Sequence, residues 1–295
     1  MSSSESPLLS SLNKDGFVLI PSLIPQPLLS SLCTASSAVT SLARTSKWPY
    51  IRTLPKQFPP WPSTPSSDGI WGVQHLLHPD LPNHELFAKL YFSNEILDVV
   101  KQLLRCGDDD LMMELFNMLV GVEKDFELRW HRDSISNTAT TEEELERLAI
   151  PKVHSQYNIA LHEDESLVVV PGSHLRPRTE EERNAEPFEK NMLGMKVVKL
   201  QPGDAIFYNN NILHRGVYKA GKKRMTLHGS VGSTGTDGGA GRARNLLQHG
   251  IREWIEKSDF SELDGDIKVR AEAMRNRLLK MGKQAGDVVV YPHDD

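Results

Sequence analysis

Cysteine is scarce: Cys33 and Cys106 are the two in 295 residues. Two thiols cannot build the disulfide framework of a small secreted domain, so both are expected to be free in a reducing compartment. Long apolar runs are missing as well, and nothing approaches the roughly 20 residues of a membrane helix. The opening MSSSESPLLSSLNKDG has neither the basic start nor the apolar stretch of a secretion signal, and the closing YPHDD is not a Ser-Lys-Leu-type peroxisomal address. The expectation is a cytoplasmic protein. Charge of one sign is also in short supply, since 34 Lys and Arg against 39 Asp and Glu leave a formal net charge of -5. That balance recruits neither nucleic acid nor an anionic membrane, which leaves a small molecule as the expected partner, with the oligomeric state open. Internal repeats are absent too. The glycine-rich stretch 229–241 lacks the strand-turn-helix setting of a dinucleotide fingerprint and reads as a flexible loop.

What the chain does have is histidine two residues before aspartate, four times over: His78-Pro79-Asp80, His131-Arg132-Asp133, His162-Glu163-Asp164 and His293-Asp294-Asp295. Proline in the first breaks strand pairing, the last lies in the terminal tail, and the third sits in an acidic turn. The second ends an alternating run in which Phe126, Leu128 and Trp130 share one face while Glu127, Arg129 and His131 share the other. Four more strand-like runs follow, at 153–161, 167–170, 197–200 and 205–208, before His214, with Arg224 on the next. Such a count suits a barrel in which ligands far apart in sequence meet in space. Two imidazoles and one carboxylate on an open face are the ligand set of mononuclear non-haem iron(II) oxygenases, and a downstream arginine would hold the carboxylate of a 2-oxo acid.

Around this core, 16–21 reads as a short strand closed by proline and 27–44 as a helix whose face carries Leu28, Leu32, Ala35, Val39 and Leu42. Residues 45–82 collect proline, serine and four large aromatics, Trp48, Tyr50, Trp61 and Trp71, in a long irregular segment. It reads either as a lid or binding loop or as an aromatic-anchored surface loop. Helices are expected at 83–91, 93–104, 242–257 and 266–281. The insertion 134–150, with an acidic helix over 141–149, is expected to overhang the metal. One domain accounts for all of 1–295: a jelly-roll core over about 110–232, N-terminal helices and loop over 1–109, and C-terminal helices over 242–281.

These blocks carry a family resemblance. The chain resembles the phytanoyl-CoA dioxygenase family of iron(II)/2-oxoglutarate oxygenases, and its fungal members most, through DGFVLIPSLIP (15–25), WHRD (130–133), ESLVVVPGSH (165–174) and PGDAIFYNNNILHRG (202–216). The resemblance implies a mainly β fold with flanking helices, a double-stranded β-helix of the cupin-like jelly-roll type. It further implies His131, Asp133 and His214 on Fe(II) and Arg224 on 2-oxoglutarate, with dioxygen as the other cosubstrate and succinate and carbon dioxide as products. Members often carry a serine two residues after the distal histidine, where this chain has Gly216, so Thr226 is the expected replacement for that hydroxyl. On the strand at 153–161 the alternation puts Gln156 and Asn158 on the polar face as further cosubstrate or substrate contacts, and Arg129 and His228 share faces with His131 and Arg224.

Each assignment has a plainer reading: a satisfied histidine beside a surface acid for His131 and Asp133, a buried structural histidine for His214, a surface arginine for Arg224. Intact Asp133 and Arg224 count against a catalytically silent jelly-roll binding protein. The absence of a basic surface counts against a fatty acyl-CoA hydroxylase, and Asp133 occupies the place a halide would need. The expected activity is oxidation, foremost hydroxylation, of a small organic substrate in secondary metabolism.

Overall fold

Apolar residues at every second position, rich in Val, Ile, Phe and Tyr, make the middle of the chain a succession of half-buried strands. The computed structural model describes residues 5–235 and 238–285. Its strands are β1 (Phe17–Ile20), β2 (Ile51–Thr53), β3 (Ile70–Val73), β4 (Leu111–Val120), β5 (Phe126–Glu127), β6 (His154–Ala160), β7 (Leu167–Val170), β8 (Lys196–Val197), β9 (Ala205–Tyr208), β10 (Leu213–Tyr218) and β11 (Met225–Ser233). Two antiparallel sheets result, one of order β1-β9-β6-β11-β4-β3-β2 and one of order β5-β10-β7-β8. Strands from opposite ends of the barrel sequence lie side by side: β11 pairs with both β4 and β6, and β10 sits between β5 and β7. This is the double-stranded β-helix, and it leaves a cavity lined by both sheets.

The helices are α1 (Pro7–Asp15), α2 (Gln26–Arg44), α3 (His84–Tyr91), α4 (Asn94–Leu104), α5 (Thr141–Leu148), α6 (Glu180–Asn184), α7 (Gly239–Leu246), α8 (Arg252–Ile255) and α9 (Gly265–Gln284). Most pack on the outer face of the larger sheet, where one apolar cluster runs from Leu12 through Met113 and Tyr157 to Leu278. In α2 the face that packs is turned slightly from the expected one. Leu29 and Ala43 are buried while Leu28 and Leu42 lie partly buried at the margin. The sequence reading missed α1, although Ser6 accepts from the Leu9 N–H and Gly16 ends the helix at φ 84°, the left-handed cap glycine favours.

Three expectations are corrected. Segment 45–82 is not irregular throughout, because β2 and β3 pair with each other and extend the large sheet beyond β4. The insertion does not overhang the metal site as a whole: Ser134 lines the cavity, but α5 is pulled aside by the fully buried Glu144, which pairs with Arg178 (2.5 Å) and Arg183 (2.7 Å). The glycine-rich stretch is largely ordered. Residues up to Ser233 complete β11 and those from Gly239 begin α7. Glycine is needed there for close approach, since a Cβ on Gly229 would run into the Tyr157 ring and one on Gly232 would lie 2.6 Å from Glu114 Oε1. Smaller departures occur at β8, which stops at Val197, and at 242–257, where a π-helical turn over Leu247–Ile251 interrupts the helix. The fourth His-X-Asp, His293-Asp294-Asp295, lies outside the described residues, as do Met1–Ser4 of the leader reading.

Because the Tyr157 ring fills the space a side chain on Gly229 would take, Gly229→Ala is expected to destabilise the fold by about 1–3 kcal/mol through overpacking. Urea unfolding would show it, and a variant as stable as the parent would contradict this account of the glycine.

Candidate metal and cosubstrate site

The site begins with a backbone contact. His131 N–H donates to His214 C=O and His214 N–H donates to His131 C=O, both at 3.0 Å, so the two residues face each other across a narrow bridge. Asp133 N–H is held by Asn210 C=O (2.9 Å), which turns the aspartate to the same place. One ligand atom from each of His131, Asp133 and His214 falls within 4.8 Å of the others, and Asp133 Oδ1 is 3.6 Å from the Nε2 of each histidine.

Hydrogen bonds around the three fix their chemistry. The Nδ1 of His131 lies 2.8 Å from Arg129 C=O, and that of His214 lies 2.8 Å from Ile212 C=O. A carbonyl only accepts, so each Nδ1 carries the proton and each Nε2 keeps a bare lone pair aimed at the shared centre. Gln156 donates from Nε2 to Asp133 Oδ2 (3.0 Å), leaving Oδ1 as the free ligand atom. Burial raises the Asp133 pKa, but His214, His131 and Gln156 outweigh it and hold the carboxyl below its ordinary value. This donor set, borderline nitrogen with hard oxygen on one wall of a cavity, fits iron(II).

Arg224 stands at one end of that cavity. Its Nε lies 3.3 Å from Asp164, its guanidinium is 4.3 Å from the centre of the Tyr218 ring, and its Nη1 is buried without a hydrogen-bond partner among the described residues. An unpaired buried donor of this kind is what an incoming carboxylate would satisfy. Thr226 adjoins it, but its hydroxyl proton is spent on Asp164 (2.9 Å), so it steadies Arg224 through that carboxylate. Gly216, in the place of the family's frequent serine, leaves room for Tyr218: a Cβ there would lie 2.7 Å from the ring.

The sheet parity read from the sequence holds along β6, whose His154, Gln156 and Asn158 line the cavity. His228 lines it too, 2.8 Å from Asn158 Oδ1. Arg129 instead sits 5.4 Å over the Phe58 ring. Arg215 turns away to Glu127 (2.6 Å), as its neighbourhood to His214 on β10 requires, and Lys222 and Lys223 are exposed. Sequence reasoning missed several wall residues. Arg52, Gln57 and Phe58 come from the segment taken as irregular, Tyr208 from a strand read for its apolar character, Tyr218 from beyond His214, and Arg242 from the start of the helix expected at 242–257. Asp164 belongs to a His-X-Asp weighed only as a metal motif, yet it is the buried partner of Arg224. The cavity volume is about 260 Å³, matched to a cosubstrate and part of a small substrate.

A family model described as phytanoyl-CoA dioxygenase (PhyH) matches residues 12–224. No curated protein matches the chain. Among solved structures the fold is shared with AviO1 from Streptomyces viridochromogenes Tue57 (TM-score 0.57, 16% identity, covering 79% of this chain and 96% of that one). It is shared also with HygX from Streptomyces hygroscopicus, solved with nickel, 2-oxoglutarate and hygromycin B (TM-score 0.54, 17% identity, 77% and 87% covered). A third is EctD from S. alaskensis with 2-oxoglutarate and 5-hydroxyectoine (TM-score 0.53, 18% identity, 76% and 74% covered).

Two cavity histidines give the site a pH signature. Burial, reinforced by Arg242, lowers His154 to about 4, and burial, reinforced by Arg52, lowers His228 to about 3. Unfolded, both would titrate near 6.5. In the window between, the unfolded chain binds protons that the folded chain refuses, so their contribution is complete above about pH 6.5 and is lost as the pH falls towards the folded values. Near pH 5 the loss is on the order of 2 kcal/mol per histidine. The urea midpoint is expected to fall from pH 7 to pH 5, and a His154→Gln/His228→Gln double variant to fall less steeply. An unchanged slope in that variant would show that these two groups are not its source.

Proposed function

Since the chain belongs to the phytanoyl-CoA dioxygenase family of iron(II)- and 2-oxoglutarate-dependent oxygenases, we propose that His131, Asp133 and His214 hold its iron, that Arg224 receives the distal carboxylate of 2-oxoglutarate, and that the reaction is hydroxylation of a small organic molecule. The observation that carries this reading is the convergence of three correctly protonated ligand atoms on a cavity that also contains the unpaired Arg224 Nη1. When bound, iron(II) with 2-oxoglutarate and dioxygen supplies an oxidant able to take hydrogen from a C–H bond, with release of succinate and carbon dioxide.

The chain's own part is positioning. Nδ1–H bonds to the carbonyls of residues 129 and 212 lock the imidazoles in the ligating tautomer, and Gln156 orients Asp133. Three protein ligands leave the remaining positions for the cosubstrate and dioxygen. Tyr208 and Tyr218 stay protonated: burial pushes both phenols up, reinforced at Tyr208 by Asp133 and opposed at Tyr218 by Arg224 and Arg52, so both present hydrogen-bond donors to the cavity. Phe58 and Leu128 add apolar surface to the cavity wall and so help to exclude water. HygX and EctD, with hygromycin B and 5-hydroxyectoine in their structures, support a small-molecule substrate.

An anaerobic titration of the apo-protein with iron(II) and then 2-oxoglutarate tests the assignment through the visible charge-transfer band of the chelated cosubstrate. The parent protein is expected to give the band, His214→Ala and Asp133→Ala to give none, and Arg224→Gln to bind iron but need about 10- to 100-fold more 2-oxoglutarate, as loss of a charge-assisted hydrogen-bond pair implies. A full band in Asp133→Ala would remove the triad assignment.

A further inference from the structure

Arg52 lines the same cavity as the metal ligands and makes no direct ion pair among the described residues, the Asp133 carboxylate acting on it only across the cavity. β2 pairs Arg52 with Gly72 of β3, β3 pairs Gly72 with Leu119 of β4, and β4 pairs Leu119 with Thr226 of β11. These four residues form one row across the large sheet, and paired residues face the same way. Glycine at the second place in the row lets the arginine lie along it: a Cβ on Gly72 would stand 2.9 Å from Arg52 Cδ and 3.2 Å from its Cγ. The side chain therefore crosses β3 towards the Leu119–Thr226 pair, beside Arg224.

Aromatic rings hold the guanidinium in that position. Its carbon is 5.0 Å from the centre of the Trp71 ring and 5.3 Å from that of Trp61. Both indole N–H groups donate to the single carbonyl of Lys56, at 3.1 and 3.0 Å, so the cage is built rather than incidental. The register shift between Arg52 and Thr53 leaves Trp71 without a partner on β2, and such a bulge turns its ring onto the face of its neighbour Gly72. Within the cage Arg52 Nε is out of water with no hydrogen-bond partner among the described residues.

Charge decides what this group is for. Arg224 is already neutralised by the buried Asp164, both charges lying within 3.3 Å. Of the two guanidiniums at that end of the cavity, Arg52 carries the unbalanced charge. The Tyr218 ring lies 4.3 Å from the Arg224 guanidinium and 5.9 Å from the Trp71 ring of the cage, which joins the two arginines' surroundings. Resting on the cosubstrate site proposed above, we infer that Arg52 is a second anchor for the distal carboxylate of 2-oxoglutarate, supplying the positive charge that the Arg224–Asp164 pair has spent. The carboxylate is then shared between two guanidiniums, with Arg224 fixing its direction and Arg52 its affinity.

The test is a pair of anaerobic binding titrations on the iron(II)-loaded full chain, one with 2-oxoglutarate and one with 2-oxopentanoate, which has the same chelating end and carbon count but no distal carboxylate. Arg52→Gln is expected to weaken 2-oxoglutarate by about tenfold or more while leaving 2-oxopentanoate within about twofold. Gly72→Val, which keeps Arg52 but takes its seat, is expected to show the same selectivity and covers the case in which Arg52→Gln fails to fold. Unchanged 2-oxoglutarate affinity in both variants, or equal loss for both acids, overturns the inference while leaving the metal site standing. A parent protein that gives no band with either acid overturns the inference and the site together.

Discussion

The reciprocal hydrogen bond between the backbones of His131 and His214 is the constraint on which the site depends. β5 ends at Glu127, well before His131, so the ladder between β5 and β10 has already lapsed where the ligands must meet. The isolated bridge restores it for one residue pair and brings two rings to 4.3 Å between centroids. Neither histidine has to be placed by its own side chain. Each is delivered by backbone, and each uses its Nδ1–H on a carbonyl two residues earlier in the chain, so the same short stretch sets position and tautomer together. Side-chain freedom is removed twice before any metal arrives, and ligands fixed in this way bind an ion with little ordering cost.

Much of this was legible in sequence because alternation is a physical signal. The run from Phe126 to His131 and the strand of Gln156 and Asn158 have to put their polar members on one face, whatever the surroundings. The choice among four His-X-Asp motifs followed from strand context, and all three expected ligands converge. What could not be read are contacts made across large sequence gaps without a periodic marker. Asp164 reaches Arg224 from an acidic turn that looks solvated, yet it is buried. Arg52 stands in a three-residue strand within a proline-rich segment, too short to carry a period. The glycine-rich stretch misled for a related reason. Glycine reads as flexibility, whereas at Gly229 and Gly232 it makes room for Tyr157 and Glu114 inside a central strand.

The same pattern of small residues beside large functional ones recurs through the site. Inside the barrel Gly72 seats Arg52, Gly216 seats Tyr218 and Gly232 seats Glu114, while on the outer face of the same sheet Gly229 seats the core residue Tyr157. Gly72 and Gly229 are the cross-strand partners of the groups they serve, Gly216 is two residues from Tyr218, and Gly232 lies diagonal to Glu114, opposite Met112. A jelly roll gives every inward position a neighbour on the next strand, so a bulky polar side chain can be fully extended over the sheet only where that neighbour is missing. Inward-facing glycines such as Gly72, Gly216 and Gly232 therefore record where the barrel interior has been given over to polar groups instead of packing.

Charge along β11 divides the cavity into two unlike ends. Beyond Ser230, Arg242 is paired with the buried Glu114 (3.0 and 2.5 Å), with His154 kept neutral beside them, so that end offers hydrogen bonds without net charge. At the Arg224 end one arginine is balanced and the other is not. A dianionic 2-oxo acid gains Coulombic stabilisation at one end alone, and in a low-dielectric cavity such a difference outweighs any preference that shape provides. On the proposed assignment the cosubstrate would lie on the Arg224 side of the metal ligands, leaving the uncharged His154 side for the molecule to be oxidised. The metal centre lies between, where Gln156 touches Asp133 on the strand that runs from one end to the other. The unlike charge of the two ends thus traces to the placement of two carboxylates, Asp164 and Glu114, each buried beside an arginine that it neutralises.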